Sequence, residues 1–593
     1  MRLTVFFSSL LALIPTLGPP GSASSEPSQA TTPKADASVV NLQKDFDVVI
    51  AGGTTAAFAA AIASAESGAR TALIEPTDWI GGQLTASAVP AVDEAWHKIT
   101  DPKTKQVYNV SSIARSRPNM TPNFRAMLDA TGNPGGGWVS NYCFQPKNFL
   151  EDHLLPLEEK HKDKLVVFRD TVIKSVATDP ATGLIKSLTA IHRTPKPGVG
   201  WKGYDKALSE DLVDWYSPKD SARFKKEVLT FEGETKPGHT TIFMDATEWG
   251  EVLALADAPY LQGVETNDGG RDGNDTCGQA TVFDIAERLN AEPVEEPPGP
   301  TGVKNLGFGN YKRFGDAWDR IWTYRRIKGR GGKPAVGDIC LQNWGYSGRD
   351  NEGGNDYPFG YLFKSKVDTF KERADWHGGV DLGVLTAAEQ RALAWHYWFK
   401  AHVPAPFVPD QVTLDKGVLG TGTGLAKMPY IRDTRRSIGI DGFILKIDDI
   451  SGEAAQLTGK RFKDRVALGA YSADIHPVVN CDYPKYVFSG HETLPFCLPF
   501  RSLTNEKYGN LLVAGKTMAQ SFLTNSATRL HPIEWSTGTA AGVSAASMSQ
   551  HGWNSHQAFE HIADLQALIK EKTPIDWTID EVTYPKPGEE TSY

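Results

Sequence analysis

Asp474 and His476 stand two residues apart in ALGAYSADIHP, residues 467–477, with Tyr471 close before them. On an extended chain that spacing places both side chains on one face. A carboxylate bonded to an imidazole can take up or return a proton near neutral pH, and it serves equally as a structural bond. Arg432, Arg435 and Arg436 form a second charged cluster, of the kind that is solvated or paired with the protein's own carboxylates. A third chemistry belongs to backbone rather than side chains. In DFDVVIAGGTTAAF, from Asp45 to Phe58, the glycines let N–H groups approach an anion at the start of a helix.

The element that holds this last site is a βαβ unit. Phe46 to Ala51 is a β-branched run without alternation, as in a parallel strand buried on both faces. After Gly52-Gly53-Thr54 the small residues Ala56 to Ala65 predict a helix, which Gly68 ends. A strand from Thr71 to Ile74 then delivers Glu75, 22 residues past Gly53, near the roughly 20 at which an acid meets a ribose hydroxyl. The dinucleotide fingerprint G-x-G-x-x-G falls on Ala51, Gly53 and Ala56, so its middle position alone is glycine. Ala at the first position fits a tight turn less easily, and the motif does not separate FAD from NAD.

Other segments repeat this strand-to-helix layout. Thr240 to Met244 predicts a strand ending in Asp245-Ala246-Thr247, with Thr247 as N-cap and a helix from Gly250 to Asp257. Near the C-terminus, Asn510 to Gly515 is a buried strand closing on glycine, and Ile533 to Met548 is a small-residue helix containing Gly538 and Gly542. Asp78 to Thr85 carries Gly81, Gly82 and Gln83 in a turn able to approach a flat or anionic group. Between these pieces lie a helix at Phe149 to Glu159, a strand or hairpin from Leu165 to Ile191 turning at DPATG, and a polar excursion from Lys196 to Gly238 with a helical patch at Ser221 to Glu227. Asp101 to Gly137 reads as surface. Asn267 to Tyr430 lacks the doubly wound rhythm; its aromatic stretch from Cys340 to Phe363 suits a wall for a sugar or planar substrate, or a cover over a sheet. Trp395 and Trp398 belong to the core face of a helix from Ala387 to Lys400.

The chain has 593 residues and a net charge of −9 without a Lys/Arg block, which argues against nucleic acid as a partner. Met1 to Ala23 has a positive start, an apolar centre broken by Pro15 and a small-residue end. It predicts a secretory signal and no stable membrane insertion. A Ser/Thr/Pro-rich leader follows. The five cysteines, Cys143, Cys277, Cys340, Cys481 and Cys497, match no zinc spacing, so no metal is predicted, and a secreted compartment allows up to two disulfides. Asn109, Asn119 and Asn274 open N-x-S/T triplets, as in a glycoprotein.

These segments together, in this order from residue 47 to about 548, resemble the FAD-dependent oxidoreductases of the glutathione-reductase-like superfamily, in the group related to fumarate reductase flavoproteins. The matching pieces are Asp47 to Thr54, Ile80 to Thr85, Asp245 to Thr247, Leu498 to Leu503, Asn510 to Gly515, Arg529 to Pro532 and Gly538 to Gly542. The resemblance implies an α/β fold: a discontinuous Rossmann-like FAD-binding domain (44–100, 160–262 and 495–560) with an inserted α+β substrate or cap domain (101–159 and 263–494). Residues 1–23 are then the signal, 24–43 the leader and 561–593 a tail. It further implies FAD contacts at Gly52, Gly53, Thr54, Thr55, Ala56, Glu75, Gly81, Gly82, Gln83, Asp245, Ala246, Thr247, Gly515, Pro532, Gly538, Ala541 and Gly542. His531 is expected as base or as a charge beside the flavin, His476 with Asp474 as second candidate, Arg501 or Arg529 as anchors for an anionic substrate, and Lys516 as a positive charge nearby. The expected activity is that of a secreted oxidase moving a hydride from a small organic substrate to flavin N5, with dioxygen as acceptor. The alternatives are a dehydrogenase using a quinone or protein acceptor, and a non-redox carbohydrate-active or lyase-like protein using FAD structurally.

Overall fold

A computed structural model describes residues 40–43, 45–93, 98–100, 107–109, 120–236, 239–297, 318–343, 354–451, 459–489 and 493–576. The signal segment, Asn119 and the aromatic stretch at 344–353 lie outside them. Five strands build the central sheet: β1 (Val48–Ala51), β2 (Thr71–Ile74), β3 (Leu165–Phe168), β4 (Ile242–Asp245) and β5 (Leu511–Val513). Their order is β5-β4-β1-β2-β3 and every pairing is parallel. β1, β2, β4 and β5 are buried at every residue, which is why they read as apolar runs rather than alternating ones.

In this doubly wound order the connections leave β1 in one direction and β4 in the other, so a crevice opens between their C-terminal ends. Helix α1 (Thr55–Glu66) connects β1 to β2. The long crossover from β3 to β4 carries an antiparallel meander, Thr171–Asp179, Leu184–Pro195 and Phe224–Glu232. Its first turn closes at Gly183, φ +63°, whose N–H donates to the Asp179 carbonyl at 2.9 Å. Phe224–Glu232 replaces the helical patch expected at Ser221 to Glu227; Phe224, Lys226, Leu229 and Phe231 are its buried positions, and pairing with Leu184–Pro195 outweighs the helix propensity of the lysines and glutamate. The end of the expected leader is ordered too, since Val40–Gln43 adds to this sheet parallel to Val228–Phe231.

The region between β4 and β5 contains a smaller antiparallel sheet of Ile285–Leu289, Arg326–Lys328, Ile339–Gln342 and Val412–Leu414, backed by helix α2 (Leu382–Ala401). Trp395 is fully buried in α2 and stacks on Trp398 at 4.9 Å. Within the stretch expected on the surface, helix Pro122–Thr131 instead buries Phe124 and stacks it on Trp535 at 4.7 Å. One disulfide, Cys277–Cys481, is present among the described residues, and Cys143, Cys340 and Cys497 are buried thiols.

Two C-terminal helices complete the layer: α3 (Phe522–Thr528) and α4 (His531–His551). α4 lies on α1 with backbone almost in contact. A Cβ on Gly538 would stand 2.2 Å from the Ala56 carbonyl oxygen, and one on Gly542 2.2 Å from that of Ala60. The two glycines, one turn apart, therefore let α4 close over the small residues of α1.

Candidate active site

The loop after β1 opens the crevice. Ala51 remains in the strand, paired with Ile74 and Asp245. The tight step comes at Gly52, where a Cβ would meet Leu73 Cδ1 at 2.6 Å and the Ile74 carbonyl at 2.9 Å. Gly53 follows at φ +110°, a conformation that favours glycine. The substituted first position is thus accommodated by moving the glycine one residue on. The third, Ala56, meets glycines from elsewhere in the chain: Gly538 against its backbone, and Gly515 (φ +70°), whose Cβ would lie 2.9 Å from Ala56 Cβ.

Thr54 caps α1, accepting from Ala57 N at 3.0 Å and donating to the Ala246 carbonyl at 2.8 Å. The Gly81–Gly82 turn packs on the same helix end: a Cβ on Gly82 would lie 2.6 Å from Thr55 N, and Thr55 Oγ1 donates to the Gly81 carbonyl at 2.8 Å. Asp245 accepts from Thr247 N, Thr247 Oγ1 and Leu253 N at 3.0, 2.8 and 2.9 Å. Its carboxylate is committed to this loop, so the segment presents backbone to the crevice. Gly250, not Thr247, is the N-cap of the following helix, although Thr247 Oγ1 still accepts from Glu251 N at 3.0 Å. A small cavity opens at Gly52, Gly53 and Pro76, with Glu248 and Trp249 on its wall.

Glu75 is buried at the end of β2, where Oε1 accepts from Thr77 N at 3.2 Å and Thr77 Oγ1 at 3.1 Å. Burial pushes its carboxyl up to about 8 against these bonds. Such an acid gains from a hydroxyl partner, which a ribose supplies. The positive end of α1, the glycine cradle and this acid fit the pyrophosphate and ribose of FAD. Ala541 and Pro532 are buried along α4 with Gly538 and Gly542.

A second cluster stands where α4 begins. Gln83 Nε2 donates to the Arg529 carbonyl at 3.2 Å, which joins the Gly81–Gly82 turn to it. His531 is fully buried and locked at both ring nitrogens: Nδ1 accepts from Asp93 N at 3.2 Å, so Nε2 carries the proton and donates to the Val89 carbonyl at 2.7 Å. Burial, then the charge of Lys516, drives its pKa down to about 3. His531 is a neutral brace here, which differs from the titrating base expected of it. Arg501 differs as well; it forks onto Asp464 at 2.9 and 3.2 Å and lies over Phe443. Lys516 is fully buried between Glu534 at 2.7 Å and Glu248 at 3.0 Å.

The Asp474–His476 pair does form, although not on a strand. His476 Nε2 meets Asp474 Oδ2 at 3.1 Å and Nδ1 meets Asp356 Oδ2 at 2.8 Å. Arg529 binds Asp474 Oδ2 at 3.2 Å and the Tyr430 hydroxyl at 2.6 Å, and Arg432 binds Asp356 at 2.9 Å. Burial would raise Asp474, but His476, Arg529 and Arg432 hold it well below the usual carboxylate range. Asp93 shows the opposite: burial raises it, against the charges of Arg325, Arg529 and Arg432. Asp474 nevertheless keeps 42 % of its side-chain surface accessible, and Asp93, Tyr324 and Tyr471 are partly accessible while strongly desolvated. Groups with both properties line a cleft enclosed by the protein. Asp93, Tyr324, Arg325, Asp356 and Tyr430 belong to no sequence motif, and distant segments bring them here.

A parallel sheet with a glycine cradle at its switch point, beside an enclosed cleft of acids, arginines and tyrosines, defines a dinucleotide-dependent redox enzyme. The family described as FAD dependent oxidoreductase matches residues 47–199 and 205–569, and the chain belongs to that family. The enzyme therefore uses FAD as its cofactor. The curated proteins contain no match. Solved structures similar to the chain include a variant of the E. coli quinol fumarate reductase FrdA (12 % identity, covering 90 % of this chain and 74 % of that one, TM-score 0.28). Others are a geranylgeranyl bacteriochlorophyll reductase-like protein of Thermoplasma acidophilum (12 %, 90 % and 84 %, 0.31) and the p-nitrophenol 4-monooxygenase PnpA of Pseudomonas putida (10 %, 90 % and 88 %, 0.29).

Proposed function

We propose that this FAD-dependent oxidoreductase is a secreted, glycosylated oxidase of a small organic substrate, with dioxygen as electron acceptor. When bound, FAD supplies the hydride acceptor at N5. The chain's own residues do the rest. The observation that carries the reading is the pairing, on one cleft wall, of a carboxyl raised by burial, Asp93, with one held ionised, Asp474. Asp93 is the stronger base and takes the substrate proton; Asp474, fixed by Arg529 and His476, orients the substrate. Tyr324 and Tyr471 stand beside both carboxylates. Secretion is supported by the apolar N-terminal segment, the Cys277–Cys481 disulfide and the exposed Asn274 triplet.

The test is an anaerobic substrate screen that reads bleaching of the oxidised flavin, followed by admission of air. Stoichiometric hydrogen peroxide is expected. Reduced flavin that persists in air and reoxidises with a quinone would make the enzyme a dehydrogenase. Asp93→Asn is expected to keep its flavin while flavin reduction slows by about 10²–10⁴.

A further inference from the structure

Three charged side chains meet beside the phosphate cradle, and their charges do not balance. Lys516 lies in the turn after β5, Glu534 in the first turn of α4 and Glu248 in the loop after β4. Lys516 Nζ is 2.7 Å from Glu534 Oε1 and 3.0 Å from Glu248 Oε2, and none of the three side chains is more than 3 % accessible. One ammonium thus faces two carboxyls where water does not reach. Oε2 of each acid accepts no hydrogen bond, and Lys516 is the partner that both share. A buried carboxylate without a cation of its own is costly, and protonation relieves it.

Position ties this triad to the cofactor. A Cβ on Gly515 would stand 2.9 Å from Ala56 Cβ, in the first turn of α1, and 3.6 Å from Glu534 Cδ. Glu248 lines the small cavity at Gly52 and Gly53, where the backbone is shaped for a pyrophosphate. Two of the described residues lining that cavity are charged by type, Glu248 and Glu251, and both are acids. Glu251 has donors of its own, the Tyr216 hydroxyl at 2.6 Å and Trp376 Nε1 at 3.0 Å. Arg435, which acts on Glu251, is spent on the Trp249 and Gly379 carbonyls at 2.6 and 2.8 Å. A doubly negative group entering here meets the positive end of α1 on one side and acids on the other.

Burial pushes the Glu248 carboxyl up to about 7; Lys516 pulls it down and the charge of Glu534 raises it again. Burial also works against the Lys516 ammonium, but Glu248 and Glu534 hold it firmly protonated. Negative charge added nearby therefore protonates Glu248, the acid that shares its cation. No contact with the phosphates is needed, since charges act through the low-dielectric wall of the cavity.

We propose that Glu248, Lys516 and Glu534 form a proton site linked to the cofactor: Glu248 takes one proton from solvent as the FAD pyrophosphate enters the cradle and returns it when FAD leaves. The Lys516–Glu534 pair that remains is neutral, so Lys516 adds no net positive charge beside the flavin, unlike the role expected of it. Below about pH 7 Glu248 is already protonated and the triad leaves FAD binding insensitive to pH. Above it each binding event draws a proton, so affinity falls as pH rises.

The test is calorimetric titration of FAD into the full chain stripped of its cofactor, at pH 8 in HEPES and in Tris. These buffers differ in ionisation enthalpy, so the difference in heat counts the protons taken up per FAD bound. The parent is expected to take up about one proton more than Glu248→Gln, and likewise more than Glu534→Gln, which leaves one acid facing the one ammonium. From pH 7 to pH 9 the dissociation constant of FAD should rise at least about 10-fold more in the parent than in either variant. Glu75 and Glu251 also have raised carboxyls facing this end of the crevice, and they are common to the parent and both variants, so the difference isolates the triad. Glu251→Gln is expected to keep a higher proton count than Glu248→Gln. Equal counts with parallel pH dependence in the parent and both triad variants would overturn the proposal, as would uptake lost in Glu251→Gln alone. Far-UV circular dichroism of each stripped variant shows that it is folded; should Glu248→Gln not fold, Glu534→Gln carries the same prediction from the other side of Lys516.

Discussion

Glu75 and His531 show how far burial decides the behaviour of a single residue. By type a glutamate titrates near 4.5 and a histidine near 6.5, and desolvation moves each toward its neutral form, Glu75 up to about 8 and His531 down to about 3. For Glu75 the consequence depends on pH. Its folded pKa lies above the ordinary 4.5, so its contribution to stability is fully present below 4.5 and is lost as pH rises toward 8. At pH 7 the loss is on the order of 3 kcal/mol, from about 1.4 kcal/mol per pH unit. A Glu75→Gln variant freed of FAD is therefore expected to melt higher than the parent at pH 7 and alike at pH 4, while holding FAD more weakly. Differential scanning calorimetry at the two pH values, with flavin content by absorbance, checks both halves. Equal melting at pH 7 would mean that the acid is ionised in the fold. The substrate cleft follows the same logic in reverse, since Arg529 and His476 keep Asp474 charged where burial would neutralise it.

At the scale of elements, the contact between α1 and α4 holds the flavin cradle in register. Gly538 and Gly542 look, in sequence, like flavin-facing positions. In the fold their missing Cβ atoms make room for the Ala56 and Ala60 carbonyls. Gly538→Ala forces backbone apart at that point, and overpacking of this kind costs about 1–3 kcal/mol. Because Ala56 lies in the first turn of α1, the variant is expected to lose flavin as well as stability, read as a lower melting temperature and a fall in bound FAD per chain. Gly132→Ala is the control, since no atom lies within 4 Å of its Cβ position; it also sits at positive φ, so it reports backbone strain without the collision. Equal effects from both variants would remove the packing explanation. Phe224–Glu232 carries a related lesson: a segment rich in lysine and glutamate becomes a strand because Leu184–Pro195 offers it a full set of partners.

For the molecule as a whole, the Cys277–Cys481 link ties two segments 204 residues apart, and both feed the active cleft. Ala280 N donates to the His476 carbonyl at 2.8 Å and Gln279 Oε1 accepts from His476 N at 3.1 Å, so the disulfide anchors the loops that carry the His476–Asp474 pair. Cys277→Ser is expected to cost about 2–5 kcal/mol of stability. It should also weaken substrate-dependent flavin reduction more than flavin content, because α1 and its cradle lie in other segments. Thermal unfolding and stopped-flow reduction measure the two effects, and a variant matching the parent in both would show that the loops hold themselves.

The cofactor half of the protein was legible in the chain because phosphate binding is local chemistry. A buried strand, a glycine turn, a helix and an acid follow one another within 32 residues, from Asp45 to Pro76, and each imposes its own composition. The late strand at Leu511–Val513 and the helix after it were legible for the same reason. The substrate half was legible only in part, in Asp474, His476 and Arg529, which do meet. Asp93, Arg325 and Tyr430 come from three stretches remote from that group, and their spacing along the chain says nothing about their approach in space. Whether a histidine titrates, an arginine is free or a glycine faces a ligand depends on how much water the surrounding elements remove and which partners they bring. Burial and pairing across the sheet's insertions set both, so those properties were decided in the folded molecule.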